Sequence, residues 1–157
     1  MTKTMTQTRK VEMLPTESDP LPTFAENPCF ALLKMPIDDA VKLVDQSREG
    51  LKGLEADISN SLKPAQAKSI ILFLEALAVH HPMKEMSRAE SDLWAKDWIS
   101  DLAHVPADIL ESACAQWRRN PTPWMPKPGQ LLELISPIVK YREALHRRCN
   151  LLLEQKK

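Results

Sequence analysis

Proline placement constrains this chain more than any other feature. There are 13 prolines against three glycines in 157 residues. Proline suits only a helix's first turn, an edge strand or a turn. Pro15, Pro20, Pro22, Pro28 and Pro36 recur too closely for a helix or a central strand. Residues 1–37 therefore read as a disordered, Pro-rich arm. Two apolar islands interrupt it, Phe24 and then Phe30-Ala31-Leu32-Leu33. Phe24, Phe30, Leu32 and Leu33 are candidate partner-binding side chains, because an island of this kind in an unfolded arm folds on a partner. The competing reading packs them back on their own domain. On the arm reading, deleting residues 1–37 leaves the melting transition nearly unchanged.

Farther along, prolines and polar caps mark helix boundaries. Asp38 is a fitting N-cap for a helix over 38–58, where Val41, Leu43, Val44, Leu51, Leu54 and Ile58 give a partial apolar stripe. Gly50 and Gly53 each weaken it by roughly 1 kcal/mol relative to Ala, so residues 38–60 read as a loosely attached helix. Pro64 suits the first turn of a second helix, from Ala65 to His81, apolar almost all round and therefore expected at the centre. Ser87 with Glu90 is a capping box that opens a third helix. Its apolar face carries Ala89, Leu93, Trp94, Trp98, Ile99 and Leu102. Pro106 starts a fourth, striped by Ile109, Leu110, Ala113, Cys114 and Trp117 and closed by Arg118-Arg119. The stretch PTPWMPKP, residues 121–128, is extended. Pro128 opens a last helix, which Pro137 kinks or divides. Along it Leu131, Ile138, Leu145 and Leu152 stand seven residues apart, a spacing that suits a helix pair within the chain or a homodimer. The chain reads as all-α: a compact bundle of four to five helices over residues 64–157, preceded by the arm.

Composition removes several functions. Phosphate cradles need clustered glycines, and here they stand alone at Gly50, Gly53 and Gly129. Cys29, Cys114 and Cys149 are too few and too scattered for a disulfide framework. The longest apolar run, Ile70 to Val79, is interrupted by Glu75, whereas a membrane span needs about 20 residues. These features predict a cytoplasmic protein with no membrane partner. There is no CxxC or HExxH, and His80-His81 falls at a helix end without a nucleophile or carboxylate at useful spacing. No metal, no cofactor and no catalytic residue is expected. Trp94, Trp98 and Trp117 sit at core spacing and read as structural. Trp124, in the proline loop, either anchors that loop or contacts a partner.

The net charge of zero is a sum of unlike parts. Residues 84–117 carry three basic and seven acidic residues, whereas 118–157 carry nine basic and three acidic. Arg118, Arg119, Lys127, Arg142, Arg147 and Arg148 are thus candidate phosphate contacts, set against an ordinary solvated helix exterior.

One block carries a resemblance. ILFLEALAVHHP, then DLWAKDWISDLAHVPADILESACAQWRR, then PWMPKPGQLLELI resembles a small helical domain of phage and prophage proteins. It is also similar, more distantly, to phage replicative-helicase loader and inhibitor proteins, over about residues 64–150. The resemblance implies an adaptor without catalysis that binds a replicative helicase or initiator. It also implies a scaffold role for Pro126 and Pro128, with Trp124 and Met125 plugging the bundle. The alternative is a DNA-binding or regulatory helical protein using the basic C-terminal face.

Overall fold

The computed structural model describes residues 23–155. Among them are five α-helices and no strand: α1 (Ile37–Ser61), α2 (Ala67–Ala78), α3 (Arg88–Leu102), α4 (Ala107–Arg118) and α5 (Pro128–Glu154), preceded by two short 3-10 helices, Thr23–Glu26 and Pro28–Leu33. The chain is an all-α bundle, as its periodicities predict.

The helix starts follow local chemistry. At α3 the Ser87 hydroxyl accepts from the Glu90 N–H at 3.3 Å, and the Glu90 carboxylate accepts from the Ser87 N–H at 2.8 Å. That reciprocal pair satisfies two end donors, and the same Ser87 groups, its N–H foremost, hold the Glu90 carboxyl below its ordinary value. Pro128 occupies the first turn of α5, where its missing N–H costs nothing. Pro64 does not start α2. It forms an isolated bridge with Pro106, and the Ala65 N–H donates to the Val105 carbonyl at 2.8 Å, so the helix begins at Ala67.

Two apolar clusters share α5 as a common spine. The first joins α2, α3, α4 and the N-terminal part of α5 through residues such as Ile70, Leu74, Trp98, Leu110, Trp117 and Leu131. The second joins both 3-10 helices, α1 and the C-terminal part of α5 through Phe24, Phe30, Val44, Leu54, Leu145 and Leu152. The central helix is therefore α5 rather than α2. Only Ile70, Leu74 and Leu77 of α2 are buried within the helix, while Leu72 and Val79, just past its end, face outward. Leu93 of α3 is likewise exposed instead of joining its predicted apolar face. Pro137 neither divides nor ends α5, which runs unbroken past it.

The arm reading fails over residues 23–36; residues 1–22 lie outside the described residues. Asn27 caps the second 3-10 helix by accepting from the Cys29 N–H at 2.9 Å. Phe24 and Phe30 pack ring to ring, with centroids 5.9 Å apart, and Leu32 and Leu33 are buried beside them. These four side chains cover α1 and α5, which is where their apolar surface goes.

The helix over 38–60 is not loosely attached. Ala40, Val44, Leu51, Leu54 and Ile58 of α1 are all buried, and polar contacts reinforce the packing. His146 meets the Glu55 carboxylate at 2.7 Å. Arg48 donates to the Leu153 and Gln155 carbonyls at 2.9 and 2.7 Å, which serves carbonyls at the end of α5 that have no helical partner. Gly50 weakens the helix but admits a neighbour, because a Cβ there would lie 2.5 Å from the Cys29 Sγ.

The seven-residue stripe of α5 is spent inside the chain. Leu131, Leu145 and Leu152 are buried, and Ile138 is partly buried against the first cluster. The helix pair that this spacing predicts is intramolecular, so the stripe is not open to a second copy.

Candidate functional site

The α4–α5 connection is built to hold its backbone still. Trp117, the last buried residue on the α4 stripe, turns its indole N–H to the Trp124 carbonyl at 3.2 Å. The Asn120 N–H closes the end of α4 on the Trp117 carbonyl at 2.9 Å, and the Asn120 side chain accepts from the Thr122 N–H at 3.2 Å. Met125 packs against the first cluster and Pro126 is buried. The Lys127 N–H donates to the Gln130 side chain at 2.8 Å, which fixes the approach to α5. Prolines at 121, 123, 126 and 128 limit the backbone further by fixing φ.

The result is a loop anchored on one side and presenting an aromatic on the other. The Trp124 side chain does not plug the bundle: Met125 and Pro126 do the inward packing, and Trp124 is 70% exposed. Arg118, Arg119 and Lys127 are exposed on the same connection, and none is in an ion pair among the described residues. Between Ser112 and Leu132 the chain carries these three cations and no carboxylate.

The six candidate phosphate contacts do not form one face. Arg142 is only 2% exposed. Its guanidinium holds the Asp108 carboxylate at 3.1 and 2.5 Å and the Ser61 carbonyl at 2.8 Å. It is a buried tie between α1, α4 and α5. Arg148 donates to the Met35 carbonyl and is half-buried. Arg147 is exposed but lies 20 residues beyond Lys127, about 30 Å along a helix. Arg118, Arg119 and Lys127 are the ones that are exposed on a single connection.

The proposed docking residues of the arm, Phe24, Phe30, Leu32 and Leu33, are core side chains. Trp98 and Trp117 are buried and Trp94 is half-buried, 5.7 Å from the Trp98 ring. Burial pushes the thiols of Cys114 and Cys149 up to about 11, so both are protonated, inert core groups at neutral pH. His81 lies only 4% exposed with neither ring nitrogen hydrogen-bonded. Its burial was not legible, since the sequence places it in the last turn of a helix, where a cation facing the carbonyl end is favoured. The role of Arg142 was legible in principle: Ile135, Ile138, Arg142, Leu145, Cys149 and Leu152 alternate by three and four residues, which puts Arg142 on the buried stripe.

A concavity of about 420 Å³ opens between α1 and α4, lined by groups that include Asp57, Asn60, Lys63 and Asp108. The Asp108 carboxylate there is already held by Arg142. Among the described residues no cluster of three or more His, Cys, Asp or Glu is placed to hold a metal, and no helix is long and apolar enough to cross a membrane.

Comparison with protein-family models, curated proteins and solved structures finds no match to this chain.

Proposed function

We propose that the chain is a non-enzymatic adaptor of phage or prophage DNA replication that docks a replicative helicase or initiator protein through the Trp124 loop. The observation that carries this is the exposed Trp124 ring on a backbone pinned by the Trp117 indole. Tryptophan and arginine are the residues most often found at the energetic centres of protein interfaces, and a pre-ordered loop loses little entropy on binding. The block of sequence that resembles helicase-loader proteins includes this loop. The groups it offers, an indole face, two guanidinium groups and an ammonium, bind and orient partners and are poor acids and bases at neutral pH. The DNA-binding alternative is weakened because Arg142 and Arg148 are engaged within the fold.

The test is capture of purified replicative helicase by the immobilised full chain. Wild type is expected to retain the helicase, and Trp124→Ala to lose about tenfold or more in affinity, the scale of a hot-spot aromatic. Trp124→Ala keeps the backbone carbonyl that Trp117 holds, so its melting transition should stay in place. Failure of the wild-type chain to retain helicase overturns the reading.

A further inference from the structure

We infer that the ligand of the Trp124 loop is a short acidic segment of a protein, in which one apolar side chain stands among several Asp or Glu residues. This rests on the adaptor reading for the location of the site and goes further in naming the chemistry of what fills it.

Charge is the first argument. Arg118 and Arg119 end α4 and Lys127 precedes α5, so three cations flank Trp124 with no intervening carboxylate. Lys68 and Lys96 are also exposed without an ion pair among the described residues, but at this loop three such cations border an exposed tryptophan with no carboxylate between them. Cations left without counter-ions beside an exposed aromatic make an anion-seeking patch whose centre is apolar.

The extent of the patch is the second argument, and it separates a peptide from a nucleic acid. A polyanion needs cations spaced along its backbone. Beyond Lys127 the exposed side of α5 alternates in sign, through Glu133, Lys140, Glu143, Arg147 and Glu154. A strand leaving the loop along α5 would meet carboxylates as often as cations. A segment with a few carboxylates around one apolar side chain matches three exposed cations that border one exposed indole along the chain, and then needs nothing more. The small area predicts binding that is modest in strength and strongly weakened by salt.

The experiment uses the full chain and three fluorescein-labelled probes: a peptide of Asp and Glu around a central Leu, the same peptide with Asn and Gln in place of the acids, and an oligothymidylate. Saturable anisotropy change is expected with the acidic peptide at low salt. The amide peptide should bind about tenfold more weakly or not at all, a loss equal to about 1.4 kcal/mol. Arg118→Glu with Arg119→Glu, and separately Trp124→Ala, should each weaken the acidic peptide about tenfold while circular dichroism and the melting transition hold. Equal binding of the amide peptide overturns the inference. So does tighter binding of oligothymidylate than of the acidic peptide, which assigns the loop to nucleic acid, and so does failure of all three probes. Helicase capture without acidic-peptide binding leaves the adaptor reading standing and removes this one; peptide binding without helicase capture does the reverse.

Discussion

At Gly50 two opposite demands meet on one Cα. Alanine there improves helix propensity by about 1 kcal/mol, yet its Cβ would press on the Cys29 Sγ at 2.5 Å. Gly53, one turn on, has nothing within 4 Å of a Cβ. Gly53→Ala should therefore raise stability by about 0.5–1 kcal/mol, while Gly50→Ala lowers it by about 1 kcal/mol through displacement of Cys29. Combining Gly50→Ala with Cys29→Ala should recover most of that loss. Urea unfolding of wild type, Gly50→Ala, Cys29→Ala and the double variant measures the coupling, and a Gly50→Ala gain equal to that of Gly53→Ala would show that Cys29 yields freely. Both glycines look alike in sequence, because what distinguishes them is a side chain from a different helix. Trp124 teaches the same lesson: its exposure depends on Trp117 holding its carbonyl, a contact that composition does not announce.

Among the elements, the two 3-10 helices change most between sequence and structure. Prolines at 28 and 36 and the shortness of both segments argue against regular structure, and the surface that orders them is made by α1 and α5. The capping box of α3 and the Pro128 start of α5 were readable because all their partners lie within three residues. Burying Phe24, Phe30, Leu32 and Leu33 contributes about 1.5–3 kcal/mol each. Their sum is comparable with a whole domain's stability of about 5–15 kcal/mol. Removing residues 1–36 should thus lower the melting temperature by about 15 °C or more instead of leaving it unchanged, whereas removing only 1–22 keeps all four side chains. Calorimetry on both truncations checks this, and an unshifted transition in the longer one would contradict the packing.

On the scale of the whole molecule, two clusters on one spine are joined at Arg142. The guanidinium is buried, while its partner Asp108 has a side chain 49% exposed. Asp108→Asn leaves a buried cation without a counter-ion and should cost about 2–3 kcal/mol, toward the low end for such pairs because water reaches Asp108. The tryptophans Trp94, Trp98, Trp117 and Trp124 all lie on α3, α4 or the loop that follows. Indole fluorescence therefore reports the first cluster, and circular dichroism reports both. In wild type the two urea transitions should coincide, and in Asp108→Asn they should separate. Coincident transitions in the variant would mean that apolar contact along α5 alone couples the halves.

The spine also sets an order of events on the ribosome. The first cluster runs from α2 to the start of α5 and is complete before the rest of α5 is made. The second must wait, because the Cys149 thiol that donates to the Leu51 carbonyl lies 98 residues downstream. At about 5–20 residues per second, α1 emerges roughly 5–20 s ahead of the helix that covers it. During that interval the part of its apolar side that faces α5 is open to chaperones and to neighbouring nascent chains, and the last turns of α5 to be synthesised are the ones that close it.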